Sequence, residues 1–358
     1  SFGSNGYNKQ TLKVADYIGT NLIDFSASRT STNGISVYKD GSEKDGFDTN
    51  NYSFKSSSRR GDWLINSSIN STVNRSDLDN SGSDALNYTS EWKFNNQYID
   101  AQRNKTKISY NHVSHEREYD KSGTIDTYDS ESHNLLATHV FDFDQDDLTL
   151  GVEFMQLSAD FDTNIDGYVS SVDNSRENSA IFTSFNHLLP MDNLITIGLR
   201  YDLLSGFDDV TTYRLGTYLN GIRMSYATAF KEPTAYEMYG SDNFGFSGNP
   251  NLKPESSKTF EIGYAADMFD ISFYNTNITN LLKYNVTTYI NDSGKSVRKG
   301  ADLKLSYSLD NLKLTNNTSY VVAEDSSGNE LLRRPKWQNT LYADYELSSA
   351  SGLTGKWN

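Results

Sequence analysis

The sequence contains no cysteine, only 5 prolines among 358 residues, and 32 basic residues against 47 acidic ones. Without cysteine, a disulfide-bonded scaffold and thiol chemistry are excluded. The formal net charge of -15 argues against nucleic acid as a partner, because phosphate binding needs a basic surface. An acidic surface suits loops that bind cations, and a solvated surface explains the charge equally well.

Long hydrophobic runs are also missing. Hydrophobic residues make up 36% of the chain, and no run approaches the ~20 apolar residues that a membrane helix needs. A membrane-spanning β-barrel needs no such run, because only alternate residues of each strand face lipid. The low hydrophobic content therefore leaves a membrane protein open. No signal peptide is visible, which fits either a cytosolic protein or a fragment that starts late.

Motifs of enzymes are absent as well. The chain has no G-x-S-x-G elbow, Walker loop or glycine-rich nucleotide fingerprint, so we expect no catalytic activity. His112 and His115 suggest a metal site at first. Residues three apart on a strand point to opposite faces, however, so the two are poorly placed to chelate together. With few histidines and no cysteine, transition-metal chemistry is discounted.

The chain is instead rich in aromatic residues and in period-2 patterns. Its 24 Tyr and 18 Phe fit the aromatic girdles of a membrane barrel, although any all-β protein is rich in such residues. The clearest alternation runs from Leu194 to Leu204, with Ile195, Ile197 and Leu199 on one face. Similar alternating patterns begin at Leu148, Leu303 and Trp337. A strand puts such sets on one side, whereas a helix scatters them.

The predicted connections alternate in length along about 17 strands of about ten residues each, long enough to cross a bilayer when tilted. Short turns are predicted at Arg60–Asp62, Asn95–Asn96, Asp144–Asp146, Pro190–Asp192, Asn220–Gly221, Asp267–Met268 and Asp310–Asn311. Long loops are predicted at Thr32–Asp48, Arg75–Ala85, Tyr119–Tyr128, Asp162–Asn174, Phe230–Pro254, Asn285–Lys295 and Glu324–Arg333. Short turns on one rim and long loops on the other are typical of outer-membrane barrels.

The stretch from Ile222 to Gly263 organises the chain. A strand breaks at Pro233, a long aromatic loop follows, and a second alternating strand begins after Pro254. The stretch resembles the barrel pattern A-F-K-x-P, then Y-G, then G-N-P-x-L-x-P-E-x-S-x-x-x-E-x-G of TonB-dependent outer-membrane receptors. The matching residues are Ala229, Phe230, Lys231, Pro233, Tyr239, Gly240, Gly248, Asn249, Pro250, Leu252, Pro254, Glu255, Ser257, Glu261 and Gly263. The motif indicates a strand–loop–strand geometry and carries no chemistry of its own.

The resemblance implies an all-β fold, a transmembrane antiparallel up-and-down β-barrel. Family members combine a plug with a 22-strand barrel, so residues 1–358 are expected to form an incomplete barrel without its plug and closing strands. Implied partners are the energy protein TonB, outer-membrane lipid and lipopolysaccharide. The implied location is the bacterial outer membrane. The implied function is active import of a scarce nutrient.

Within the family, three segments resemble the vitamin B12 (cobalamin) receptors: Gly3–Tyr7, Leu331–Lys336 and the strand around Lys299–Asp302. A ferric siderophore is the alternative substrate. A passive porin-like channel and a soluble or surface β-rich adhesion module also stay open. An energy-coupling box upstream would distinguish active transport from a passive channel. Recovery in the soluble fraction, without detergent, would instead indicate the adhesion module.

The resemblance also implies two sets of binding residues. Calcium takes six to eight oxygen ligands, and the early extracellular loops offer acids, although Val73 stands where the family has one. The candidate calcium ligands are Glu43, Asp45, Asp77, Asp79 and Asp84. Aromatic and amide groups on the outer rim are candidate substrate contacts, or they pack the loop against its neighbours. These candidates are Tyr236, Tyr239, Asn243, Phe244 and Phe246.

Overall fold

The structure, a computed structural model, is built almost entirely of strands. It describes residues 1–36, 41, 43–79, 83–165, 167–241, 245–346 and 354–357. The elements are β1 Asn8–Ile18, β2 Asn21–Thr32, β3 Phe47–Arg60, β4 Trp63–Asp77, β5 Tyr88–Arg103, β6 Thr106–Lys121, β7 Thr124–Phe143, β8 Asp146–Ile165, β9 Tyr168–Leu189, β10 Asn193–Leu204, β11 Val210–Leu219, β12 Ile222–Lys231, α1 Ala235–Tyr239, β13 Glu255–Ala265, β14 Phe269–Thr279, β15 Leu282–Asn285, β16 Thr288–Asn291, β17 Lys295–Leu309, β18 Leu312–Glu324, β19 Trp337–Glu346 and β20 Thr354–Trp357. Within these ranges, no helix is long and apolar enough to cross a membrane.

Each strand of the main sheet pairs antiparallel with the next one along the chain. The one departure is an inserted hairpin of β15 and β16, so β14 pairs with β17. Seventeen of the sheet's 18 strands have ten or more residues, and β20 has four. The prediction of about 17 strands in an up-and-down antiparallel meander is confirmed.

The apolar face of the sheet is exposed, whereas the polar face is covered. On β10, the outward residues Ile197, Leu199 and Tyr201 are 47%, 50% and 41% exposed, while the inward Asp202 is 3% exposed. A water-soluble sandwich would bury the first set, because exposed apolar area costs about 25 cal/mol per Å². A continuous apolar band of this kind needs lipid around it. Exposed aromatic residues lie within three positions of the short turns: Tyr17, Phe143, Tyr218, Phe269 and Tyr307.

The inward face carries ion pairs and hydrogen bonds instead of an apolar core. Arg200 donates to Asp202 at 2.9 Å and lies 2.7 Å from Glu153 across the β8–β10 region. Asn66 donates to Asp100 at 3.1 Å between β4 and β5. Paired charges of this kind satisfy one another where the sheet shields them from bulk water.

Four predicted connections differ from the structure. Asn95 and Asn96 lie inside β5, and the turn comes at Asn104, whose φ is 51°. The pair has turn composition, but Asn95 donates its amide to Ser114 Oγ at 3.3 Å across the β5–β6 ladder, so pairing overrides local preference. The predicted loops Tyr119–Tyr128 and Asp162–Asn174 fall at the ends of two long hairpins, β6–β7 and β8–β9, where most of their residues are paired in strands.

The predicted loop Asn285–Lys295 contains β16, and the strand was missed because its run is only four residues long. The remaining short turns lie where they were predicted. Long connections between β2 and β3, β4 and β5, β12 and β13, and β18 and β19 all fall on the opposite rim. We call this rim the long-loop rim.

Candidate functional site

The described part of the β12–β13 connection, residues 232–241 and 245–254, folds into a compact structure, called here the lid, rather than an open loop. Pro233 is fully buried and directly precedes α1. Thr234 caps the helix: its Oγ1 accepts the Glu237 backbone N–H at 3.2 Å, and Glu237 Oε2 accepts the Thr234 N–H at 2.7 Å. This capping box was visible in the sequence as Thr-x-x-Glu but was not read as one.

The G-N-P part of the family motif packs its backbone directly onto α1. A Cβ on Gly248 would lie 2.5 Å from the Met238 carbonyl carbon, so only glycine fits this approach. Gly248 donates to the Gly240 carbonyl at 2.7 Å, and Asn249 donates to the Glu237 carbonyl at 3.0 Å. The motif thus serves loop architecture, consistent with the prediction that it marks a strand–loop–strand geometry.

The predicted substrate contacts separate into two groups. Phe246 is 5% exposed and stacks on Tyr236 with ring centroids 5.0 Å apart, so it packs the loop. Tyr289 of the β15–β16 hairpin meets Phe246 edge-on at 5.9 Å. Tyr239 is 42% exposed and stays accessible on the surface. Two other predicted contacts, Asn243 and Phe244, lie outside the described residues.

A buried ion pair between Arg176 of β9 and Glu232, called here the arginine clamp, links the lid to the barrel sheet. The Arg176 side chain on β9 is 11% exposed, and its Nη1 lies 3.4 Å from Glu232 Oε2 and donates to the Pro233 carbonyl at 2.8 Å. Its Nη2 lies 3.3 Å from the Met238 sulfur. Asn178, two residues further along β9, donates to Glu232 Oε1 at 2.7 Å. A planar guanidinium suits such multiple bonding.

Sequence reasoning missed this clamp. Arg176 and Glu232 are separated by 56 positions, and no local spacing links them. The only signal was Glu232 next to Pro233 within the family motif. Strand pairing from β9 to β12 brings the two side chains together.

The lid is also tied to the neighbouring loops. Lys253 N donates to Asn291 Oδ1 at 2.8 Å, and Glu255 Oε1 accepts from the Leu282 N–H at 2.7 Å. Asp292 is 6% exposed and accepts from Ser326 N at 3.0 Å, which joins the β15–β16 hairpin to the β18–β19 loop. The bond from Ser326 N–H holds the pKa of the Asp292 carboxyl below its usual range.

A groove of about 660 Å³ opens beside the lid on the long-loop rim. It runs between the β10–β11 loop and the last part of the β12–β13 connection. Its polar walls carry both signs of charge, with Asp208 and Asp209 facing Lys253 and Glu255. Phe207 and Phe230 add aromatic surface. A concave groove of this size and mixed lining can hold a small ligand or part of a larger one.

Four of the five predicted calcium ligands come together on the same rim. Asp84 accepts the Glu43 backbone N–H at 3.2 Å and the Ser36 hydroxyl at 3.3 Å, which joins the β2–β3 and β4–β5 loops. Asp79 Oδ1 accepts the Ala85 N–H at 3.2 Å. Glu43 Oε2 and Asp79 Oδ2 are both shielded from water without a hydrogen-bond partner among the described residues.

The carboxylates in this acidic cluster, Glu43, Asp45, Asp79 and Asp84, disfavour one another's charges. Burial raises the pKa of Glu43, and the nearby Asp79, Asp45 and Asp84 raise it further. Burial also raises the pKa of Asp79, with further contributions from Asp45 and Asp84. The fifth predicted ligand, Asp77, instead accepts the Gly46 N–H at 3.2 Å. Shielded carboxylate oxygens that repel one another are the donor set that a hard cation such as calcium prefers.

The chain is similar to known proteins in sequence pattern and in structure. Residues 8–358 match the family model described as TonB dependent receptor-like, beta-barrel. The siderophore receptor PirA from Acinetobacter baumannii superposes with a TM-score of 0.75 at 14% identity, over 97% of this chain and 64% of that one.

Two further solved structures agree with this fold. A mutant of the ferric enterobactin receptor PfeA from Pseudomonas aeruginosa, in complex with enterobactin, gives a TM-score of 0.74 at 14% identity, over 95% of this chain and 64% of that one. The copper transporter OprC gives 0.74 at 15% identity, over 96% and 63%. The chain therefore spans less than two thirds of the length of these three proteins. Since the family model covers nearly all of its residues, the chain belongs to the TonB-dependent receptor family, as part of its β-barrel.

Proposed function

We propose that this chain is the barrel part of an outer-membrane receptor that binds a scarce nutrient at the long-loop rim and imports it with energy from TonB. The observation that carries the proposal is the inverted sheet, which exposes its apolar face and covers its polar face. The proposal includes a plug domain and a TonB contact outside residues 1–358, and outer-membrane lipid and lipopolysaccharide around the apolar band. A transport receptor of this family is not an enzyme.

Cobalamin is the proposed substrate, on the sequence resemblance of Gly3–Tyr7, Leu331–Lys336 and Lys299–Asp302 to the cobalamin receptors. A ferric siderophore is the second candidate. Two of the similar structures support it, because they are described as a siderophore receptor and a ferric enterobactin receptor.

Equilibrium binding and uptake by the receptor, expressed from its complete reading frame, test these proposals together. We expect saturable binding of cyanocobalamin and uptake that stops in a strain without TonB. Tyr239→Ala removes an exposed aromatic contact and should weaken binding about fivefold, or ~1 kcal/mol. Tyr307→Ala, at a short turn, is the matched control.

Three outcomes would redirect the proposal. Binding of a ferric siderophore but not of cyanocobalamin would transfer it to the second candidate. Uptake that is unchanged without TonB would favour a passive porin-like channel. Recovery of the protein in the soluble fraction without detergent would rule out the membrane receptor.

Calcium is proposed as the cation of the acidic cluster. Glu43, Asp45, Asp79 and Asp84 would hold it, and the unpartnered oxygens and raised pKa values of Glu43 and Asp79 support the assignment. Bound calcium would neutralise the mutual repulsion and order the β2–β3 and β4–β5 loops. Ordered loops present a preformed surface to the substrate, which lowers the entropic cost of binding.

Limited proteolysis of the β2–β3 loop at several pH values should reveal this site. A raised carboxyl pKa means that the folded loop is destabilised at pH values above it and relieved as the pH falls. Without calcium, protection should therefore increase as the pH falls from neutral towards the raised pKa values of these carboxyls. With calcium, protection should be greatest near pH 7.5, because protons compete for the same oxygens.

Variants make the calcium experiment specific. Asp79→Asn and Glu43→Gln should each remove the calcium-dependent protection. Asp325→Asn, in the β18–β19 loop, should leave it unchanged. Equal calcium protection in Asp79→Asn and the unaltered receptor would refute the site.

A further inference from the structure

The outward face of β5–β8 carries a histidine pair just beyond the apolar band. The last apolar row runs across the four strands through Ile99, Tyr110, Leu135 and Phe154, which are 47%, 38%, 48% and 44% exposed. The next row towards the long-loop rim pairs His112 of β6 directly with His133 of β7. The pair therefore lies at the boundary of the apolar band, and neither histidine belongs to the lid or to the acidic cluster.

Glu131 completes a cluster with the two imidazoles. His112 Nε2 lies 2.6 Å from Glu131 Oε1, and His133 Nε2 lies 3.4 Å from the same oxygen. The three ligand atoms all lie within 4.8 Å of one another, and the two rings are parallel with centroids 4.5 Å apart. The side chains are 19%, 45% and 37% exposed for His112, Glu131 and His133, so an ion can reach them from solvent.

The geometry is close to that of a three-ligand transition-metal site. Two ligands of one tetrahedral zinc ion lie about 3.3 Å apart. His133 Nε2 is at this spacing from Glu131 Oε1, at 3.4 Å, whereas His112 Nε2 lies closer, at the hydrogen-bond distance of 2.6 Å, and would move apart from it on sharing an ion. Tyr110 Oη lies 2.7 Å from His133 Nδ1, so it can accept a hydrogen bond from Nδ1–H, in the tautomer that leaves Nε2 free to bind a metal. Imidazole with one carboxylate suits zinc, copper or nickel rather than calcium.

We propose that His112, Glu131 and His133 bind one divalent ion of the zinc, copper and nickel class on the outer surface of the barrel. The three side chains leave a fourth coordination position open towards solvent, as in sites that exchange a water or an anionic oxygen. This surface site is separate from the substrate site and does not depend on the transported nutrient. Its failure would leave the proposed transport function intact.

The spacing of the histidines along the sequence does not reveal this cluster. His112 and His115 do point to opposite faces, as expected, and His115 instead stacks with Trp92 at 6.2 Å. The partner of His112 is supplied by the neighbouring strand, through the register that pairs it with His133.

Metal titration of the receptor, expressed from its complete reading frame without a polyhistidine tag and purified in detergent, tests the proposal. Calorimetry with ZnCl₂ should give one equivalent of bound zinc in the unaltered receptor. His133→Gln and His112→Gln should each weaken this binding at least tenfold. His139→Gln is the matched control, because His139 lies on the same face of β7 but bonds to Thr106 at 2.7 Å, and it should change the affinity less than twofold.

A spectroscopic readout separates this site from other acids on the surface. With one equivalent of Cu²⁺, electron paramagnetic resonance should show two nitrogen donors, and one after His133→Gln. Asp79→Asn, in the acidic cluster, should leave that spectrum unchanged. The absence of stoichiometric zinc binding, or zinc binding and a copper spectrum that survive both histidine substitutions, would overturn the proposal.

Discussion

Leu199→Arg is expected to remove most of the folded receptor from the outer membrane. Leu199 lies midway along the exposed apolar face of β10 and is 50% exposed. A charged side chain on the lipid face near the membrane midplane costs about 2–4 kcal/mol. In a soluble protein, an arginine introduced at a position with this degree of exposure would change the stability very little. The measurement is the amount of heat-modifiable, protease-resistant receptor in purified outer membranes.

Ser184→Arg provides the matched control for this substitution. Ser184 lies on the inward face of β9 and pairs with Gly198 of β10. Gly198 directly precedes Leu199, so the two substituted positions lie at nearly the same height along the sheet but on opposite faces. Its other partner, Thr149 of β8, is also small, so an arginine has room in the lumen. We expect near-normal assembly. Equal loss of both variants would mean that the apolar face does not meet lipid.

Arg176→Ala should release the lid. The substitution removes the cation beside Glu232 and a donor to the Pro233 carbonyl, both of which are shielded from water. Removing one member of a buried ion pair costs about 3–5 kcal/mol. A local loss of ~3 kcal/mol raises the opening equilibrium roughly 100-fold. Hydrogen exchange at the amides of α1 should accelerate by that factor, because their opening is limited by the clamp.

Two variants control for this prediction. Arg176→Lys keeps the charge but loses the planar fork, so it should restore only part of the protection. Arg29→Ala removes the exposed pair with Asp48, where the arginine side chain is 64% exposed, and should change local stability by less than ~1 kcal/mol. Unchanged exchange in Arg176→Ala would show that the lid is held by its aromatic packing instead.

The strands were predictable because their signal is local. Ile195, Ile197 and Leu199 alternate with Thr196 and Gly198, and a period of two has one structural solution. The turn predicted at Asn95–Asn96 was wrong because that prediction, too, used only a local preference. In the structure, pairing with Ser114 on the next strand outweighs the turn preference of the two asparagines. The end of the β6–β7 hairpin, Tyr119–Tyr128, was predicted as a loop, because the many polar residues there obscure the period-two pattern.

The candidate sites were only partly predictable. Glu43 and Asp79 were identified from resemblance, and the structure brings them to one cluster with Asp45 and Asp84. Phe246, in contrast, packs the lid at 5% exposure, which its aromatic character could not reveal. Arg176 and Glu232 were missed because they lie on different elements, and only the register of β9 to β12 sets their distance.

By itself, the sequence determined the alternation of strands, the order of the meander and the family motif around Pro233. Each of these depends on neighbours within about ten residues, where side-chain direction follows directly from backbone geometry. The tertiary structure confirmed that the apolar faces point outward, as the family resemblance implied, and it alone decided that Arg176 holds the lid and that His112 meets His133. These outcomes depend on sheet curvature and on register between distant strands, and register brings together residues that no spacing along the chain connects.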